Sequence, residues 1–415
     1  MKIVTPDYYK DFRCIAGACT DTCCAGWDVD VDENSYRYYK KVKGEFGKRL
    51  KSVMVPSEDG GCTFTLNKGR CPFLNDENLC DLYIALGEDK LCETCAEFPR
   101  FINEYGSIRE IGIAPSCKTA GELILGYKGE LTFDMNDSDE EVSSYNDIDP
   151  LTYIQLRQAR TIAYNIVSDR DYTIAERAVL ILMFAKDIQY YLDKEKDELI
   201  IGVCRRYAKE DYRERKLDKA RSICASRPDA YLYTRRFFDS FKGMEVINPD
   251  WNIYVKEVNT FYAMCMCNSS DENNSSDACD SSNIRNGNDK NNNSRQSFMD
   301  AVAQFDKYYE NNQHEYEQIL MYYVYRYFLD AVYDYNVLLK MKGAVVGLLS
   351  LKMMDVADWY LNDKKLDFTR QVDLAHLYSR QYEHSYYNYE EYNKFFGYKR
   401  RYSYENLIAQ LLTME

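Results

Sequence analysis

The chain has 415 residues, enough for two or three domains, and an apolar share of 46% that can fill a substantial core. Its formal net charge of −14 counts against nucleic acid or an anionic membrane as a main partner. Nothing approaches the roughly 20 uninterrupted apolar residues of a membrane span. The start, Met1 to Lys10, lacks the apolar stretch of a signal peptide, so the expected location is the cytoplasm.

The first 125 residues hold most of the glycines and prolines and several short alternating runs. Trp27–Val31, Cys62–Leu66 and Ile108–Ile113 read as strands, and Asn67-Lys68-Gly69 reads as a turn. One helix is expected to start at Ser35 as N-cap and to run to about Met54. Ten of the 15 cysteines fall here, at Cys14, Cys19, Cys23, Cys24, Cys62, Cys71, Cys80, Cys92, Cys95 and Cys117. Thiols this dense are disulfides, metal ligands or chance, and a reducing cytosol favours metal. A loop-rich module with a modest core is what a metal would organise, because its binding energy becomes folding energy.

Residues 126–149 read as an acidic linker. Helical spacing then takes over. Leu151, Ile154, Leu156, Ile162 and Ile166 fit one amphipathic helix, and Ile174, Ala178, Ile181, Leu182, Ala185 and Ile188 a second. Residues 150–267 form the first helical part. Residues 268–297, almost all Asn, Ser, Asp, Gly and Lys, read as a disordered insertion that cannot bury enough surface to order itself. Helical periodicity resumes over 298–415. The expected fold class is α+β, mainly α: a small cysteine-rich module with short strands, then a larger all-helical domain.

The three histidines, His314, His376 and His384, all lie after residue 300. A mixed Cys/His zinc site in the module is therefore unexpected unless a distant helix supplies imidazole, and all-thiolate ligation suits structural zinc or an iron–sulfur cluster. Adjacent Cys23 and Cys24 should point to different sides. A Cys-x3-Cys-x2-Cys radical spacing is not met, since Gly26 stands third after Cys19 and Cys23. Glycine-rich nucleotide fingerprints, a P-loop, a Gly-x-Ser-x-Gly elbow and His-Glu-x-x-His are all missing. Farther on, Arg380, Glu383 and His384 share one helical face, either as a solvated salt bridge or as a catalytic group. The 39 tyrosines read mainly as packing residues with wet hydroxyls, and alternatively as a groove for a cationic side chain.

At these residues the chain resembles the flagellin lysine N-methylases, whose N-terminal module is similar to zinc- or iron-chelating cysteine-rich domains. The resemblance starts at Tyr8-Tyr9-x-x-Phe12-x-Cys14. It continues through Cys19-x-Asp21-Thr22-Cys23-Cys24-x-Gly26-Trp27 and Arg70-Cys71-Pro72-Phe73-Leu74 to Leu79-Cys80, Thr94-Cys95-x-x-Phe98-Pro99-Arg100 and Ser116-Cys117. Leu156-Arg157, Asp169-Arg170 and Glu176-Arg177 resemble the first long helices, and Arg380-x-x-Glu383-His384-Ser385 the C-terminal signature. The resemblance implies methyl transfer from S-adenosylmethionine to lysines of flagellin and an iron–sulfur cluster, most simply 4Fe-4S, with zinc the alternative. It implies metal ligation by Cys14, Cys19, Cys23, Cys24, Cys71, Cys80, Cys95 and Cys117, as two four-ligand sites or as one site with structural spares. Cys62 and Cys92 depart from the pattern, as does Lys118 after Cys117, where the family more often has proline. Arg380, Glu383 and His384 are the candidate catalytic residues. The competing readings are a non-catalytic zinc-stabilised adaptor and a thiol-based metal or redox protein.

Overall fold

The computed structural model describes residues 1–58, 60–142, 148–241, 244–266, 288–383 and 385–415. Its first part lays down β1 (Lys2–Pro6), β2 (Val29–Val31), α1 (Glu33–Lys41), α2 (Gly44–Val53), β3 (Met54–Pro56), β4 (Cys62–Phe64), α3 (Asp81–Leu86), α4 (Glu93–Glu97), β5 (Arg100–Tyr105), β6 (Ile108–Ile113), α5 (Lys118–Leu125) and β7 (Phe133–Asp137). Helices follow: α6 (Pro150–Ser168), α7 (Ile174–Leu192), α8 (Ile200–Tyr207), α9 (Glu210–Ala225), α10 (Asp250–Met266), α11 (Asn288–Tyr308), α12 (Gln313–Tyr327), α13 (Ala331–Asp334), α14 (Val337–Leu361), α15 (Phe368–Glu383), α16 (Tyr386–Tyr398) and α17 (Tyr404–Thr413). The fold is α+β and mainly α, as the periodicities predict.

Two sheets carry the strands. One has the order β5-β6-β1-β7, with β1 and β6 parallel and the other neighbours antiparallel. The other is the antiparallel trio β2-β4-β3. Each sheet has its own core. Phe101, Tyr105 and Ile113 join the helices in the large core, whereas Val29, Val31, Tyr39, Leu50, Phe64 and Phe73 form a small separate one. The packing therefore divides the first 125 residues internally: β1, β5 and β6 side with the helices, and the segment between them stands apart. Tyr325 of α12 ties the larger sheet down by donating to the carbonyls of Val4 and Ile111 at 3.0 and 3.2 Å. Buried Arg160 of α6 pairs with buried Glu110 of β6, one bond being 2.7 Å.

Three local readings change. The helix expected from Ser35 to Met54 is two helices, because Val42 is extended and Gly44 takes a positive φ of 82° that a side chain would resist. Its N-cap is Asp32, whose carboxylate accepts the Ser35 amide at 2.8 Å; a carboxylate three residues earlier in the chain takes the role assigned to the hydroxyl. Within the acidic stretch, Phe133–Asp137 is a strand, because β1 offers an edge that pairs with it from Lys2 to Pro6. The disordered-insertion reading of 268–297 falls mostly outside the described residues. Its end, from Asn288, is drawn into α11.

Helices α7 and α14 run through the middle of the larger core, apolar nearly all round as a helix buried on every side must be. No described helix is long and apolar enough to cross a membrane. One buried carboxylate is doubly matched: Glu317 of α12 accepts from Arg170 at 2.9 Å and from Arg177 at 2.7 Å. Glu315, two residues earlier, takes the Tyr309 hydroxyl, and burial outweighs that bond and the charge of Lys128, pushing its carboxyl up to about 7. Its ordinary value is 4.5, so between these two values the folded state keeps a proton that the unfolded chain has lost, and stability falls as pH rises. Glu315→Gln is therefore expected to flatten this fall, read as urea midpoints at about pH 5 and about pH 8.

Candidate functional site

The site begins with a turn. Lys68 and Gly69 both have positive φ, 52° and 76°, and Asn67 and Arg70 exchange backbone bonds of 2.8 and 3.0 Å across them. This tight hairpin returns the chain so that Gly26 donates to Gly69 and Cys71 to Cys24, both at 2.8 Å. Cys24 and Cys71 are thereby brought side by side from 47 positions apart. The Trp27 indole donates to the Cys23 carbonyl at 2.7 Å and holds the other end of the Cys23–Cys24 peptide.

Around this peptide the thiols gather. A small apolar cavity is lined by Cys23, Cys24, Cys71, Cys80, Cys92 and Cys95 together with aromatic rings, including Phe64, Phe73 and Phe98. Every described cysteine is free. The Cys23 thiol is pushed well up by its hydrogen bond to Cys24, by burial and by the charges of Cys14 and Cys117. That same bond, helped by Thr22, Arg70 and Arg380, holds Cys24 down to about 7. Cys62 is buried in β4, and burial pushes its thiol up to about 11. The donor set suits a thiophilic metal: many reduced thiols, an aromatic wall and, among the described residues, no imidazole at the sulfurs. Among the described residues, however, no three His, Cys, Asp or Glu donors stand close enough to hold a metal ion as placed. The fit is one of donor chemistry and neighbourhood, and completed coordination would require the thiols to move inward.

Helix α15 meets this module. Arg380 donates to Asp21 at 2.9 Å and to the carbonyls of Ala25 and Thr22, the latter at 3.5 Å. One turn earlier, His376 bonds Asp21 through Nε2 at 2.7 Å and the Pro115 carbonyl through Nδ1 at 3.3 Å. Each ring nitrogen thus faces an oxygen of a different segment. Burial pushes the Asp21 carboxyl up, but His376 and Arg380 prevail and hold it at about 2. His376 thus clamps the arm carrying Cys117 to the arm carrying Cys23. Gly26 lets the helical side approach: its φ is 87°, and a Cβ there would meet the Ile247 carbonyl at 2.8 Å.

The other candidate residues go elsewhere. Glu383 turns away from the cysteines and accepts from Tyr322 at 2.8 Å, Tyr327 at 2.6 Å and the Ser379 hydroxyl, with Arg326 at 3.2 Å. Ser385 and Asn388 bind Glu245, through its carboxylate at 2.6 Å and its carbonyl at 2.8 Å. His384 lies outside the described residues. Sequence reasoning missed His376 and Asp21. Asp21 sits inside the cysteine motif and His376 lies one turn before Arg380, which are the signals that point to them.

Beside this junction opens a cleft of 310 Å³ lined by Asp21, Lys118, Asp250, Glu257, Asp373 and His376 among others. The Lys118 that follows Cys117 pairs with Asp373 at 2.7 Å. A helical domain whose C-terminal signature helix docks on a thiol-rich module defines the class. Residues 160–410 match the family model described as the FliB lysine N-methylase C-terminal domain, and the chain belongs to that family. It is similar to the flagellar biosynthetic protein FliU of Salmonella muenchen, 26% identical over 129 residues, which is 30% of this chain and 76% of that one. It is equally similar to lysine-N-methylases of Salmonella choleraesuis (strain SC-B67) and Salmonella typhimurium (strain LT2), at 26% over 129 residues; the match covers 30% of this chain and 32%, about a third, of each. No solved structure matches.

Proposed function

We propose that this protein is a protein-lysine N-methyltransferase that modifies flagellin with S-adenosylmethionine and holds an iron–sulfur centre on its cysteines. The observation that carries this reading is the direct docking of α15 on the Cys19–Cys24 loop through Arg380, His376 and Asp21, which joins the family's helical signature to its thiol module. In the reaction the lone pair of a neutral lysine amine forms a bond to the sulfonium methyl, the carbon–sulfur bond breaks, and its electrons leave on S-adenosylhomocysteine. The proton shed by the nitrogen passes to a base or to water. When bound, an iron–sulfur centre drawing its ligands from Cys14, Cys19, Cys23, Cys24, Cys71, Cys80, Cys95 and Cys117 would supply Lewis-acidic iron for the methyl donor.

The chain's own residues do the rest. Asp250 and Glu257 line the cleft and attract a cationic lysine side chain toward the junction, while Asp373 is already paired with Lys118. Arg380 and His376 position the cysteine loop. His384, next in sequence to Glu383, is the group assigned to orient the amine or take its proton, and Glu383 orients Tyr322 and Tyr327. Mass spectrometry of flagellin co-expressed with and without this protein tests the reading. Methyl-lysine that depends on the protein, and falls with His384→Ala, is the expected result. Unmodified flagellin in both cultures overturns it.

A further inference from the structure

We propose that Cys92 and Cys95 are a redox couple: their thiols close into a disulfide across the first turn of α4, with a low-molecular-weight disulfide such as oxidised glutathione as electron acceptor. The consequence for metal loading rests on the reading that the module holds metal; the couple itself does not.

Local geometry carries the pairing. Cys92 is the N-cap of α4, and the Ala96 amide closes the first turn on its carbonyl at 2.9 Å. Cys95 follows three positions later, on the same side of that turn. A rise of about 1.5 Å per residue on a cylinder of about 2.3 Å radius puts the two Cα atoms about 5 Å apart. A disulfide spans about 4.4–6.8 Å between Cα atoms, so the bond needs no large movement of the backbone. Consecutive Cys23 and Cys24 fail the same test, since adjacent Cα atoms stand only about 3.8 Å apart. Both thiols of the α4 pair border one cavity, and both are free. Cys80 is the N-cap of α3 in the same way, but there the sulfur accepts the Tyr83 amide at 3.4 Å. The Cys92 sulfur makes no such cap bond and is left to turn toward Cys95.

Exposure divides the roles. Cys95 is half-buried and within reach of a small disulfide, whereas Cys92 is 1% exposed. As a thiolate, Cys95 attacks one sulfur of oxidised glutathione; that S–S bond breaks and one glutathione thiolate leaves. Cys92, deprotonated in turn, attacks the Cys95 sulfur of the mixed disulfide and expels the second glutathione. The protein gives up two protons and two electrons, and one glutathione disulfide becomes two glutathione thiols. Cys95 is among the cysteines offered to metal and Cys92 is not, so closing the couple withdraws a ligand and ties metal loading to redox state.

The test uses the full chain, purified without oxygen, assayed for iron and zinc, and treated with oxidised glutathione after metal removal by chelation. The tryptic peptide Leu91–Arg100 holds both cysteines and no others. It is expected to lose two hydrogens and to resist alkylation until dithiothreitol reopens it. Oxidised protein should retake at least about twofold less metal than its reduced control, and dithiothreitol should restore uptake. Cys92→Ser lacks the second thiol and should instead accumulate glutathione on Cys95, the intermediate trapped. The peptide measurement on the unaltered chain decides the proposal even if this variant fails to fold. Alkylation of both cysteines in the treated chain, or a bridge from either of them to another such as Cys71, overturns the couple. If the disulfide forms in protein that neither carries nor takes up metal, the couple stands and the metal reading falls. If it forms and metal uptake is unchanged, the tie between redox state and loading falls.

Discussion

Arg380→Ala will loosen the cysteine module from the helical body and cost about 3 kcal/mol, the lower end of what removing one partner of a buried ion pair costs. The lower end applies because Asp21 retains His376 and its side chain is 29% exposed, while Arg380 is only 6% exposed. The guanidinium serves Asp21, Thr22 and Ala25 at once. Lysine offers a point charge without that planar fork, so Arg380→Lys is expected to recover the ion pair but not the carbonyl contacts, and only part of the stability. Urea unfolding measures the loss, and limited proteolysis of residues 13–98 should quicken in step. Because Arg380 acts here by positioning the loop, metal content and flagellin methylation should fall together in Arg380→Ala. A variant with full stability and an unchanged proteolysis rate would mean that the junction is held by other contacts.

Glu383→Ala is expected to be the more damaging change, at about 3–5 kcal/mol. Its side chain is 1% exposed, and truncation would leave Arg326 without its carboxylate and two buried tyrosine hydroxyls without an acceptor. Arg326 cannot readily shed its charge; what would remain to it is a hydrogen bond to the Tyr322 hydroxyl and the rings of Phe101, Tyr322 and Tyr327, none of which carries a compensating charge. Glu383→Gln keeps the shape and one acceptor oxygen while removing the charge, so it should retain more stability than alanine. Equilibrium unfolding of both variants checks this order. A glutamine variant that is as stable as the parent yet fails to methylate flagellin would show the carboxylate acting on substrate, and an alanine variant of unchanged stability would overturn the structural role.

What the amino-acid sequence determined by itself rests on short-range regularities. Apolar spacing marks α6 and α7 because a helix repeats its faces every few residues, and alternation marks β2, β4 and β6 for the corresponding reason in a strand. The Asn67-Lys68-Gly69 turn was legible because few residues accept positive φ. The cysteines stood out because reduced thiols are rarely gathered without a use. The acidic stretch misled for an equally local reason: β7 lies at the margin of its sheet, where exposed polar residues are tolerated, so its composition looks like a linker. Spacing places Arg380 and Glu383 on one helical face, but only packing sends the first to Asp21 and the second into a cage of tyrosines. The pairing of His376 with Asp21, 355 residues apart, leaves no local trace in either segment. Nor do cysteine spacings carry direction: Cys24 meets Cys71, 47 positions on, because the Lys68–Gly69 hairpin returns the chain to it. Contacts between distant segments are made by the whole core, and that is why only the tertiary structure decides them.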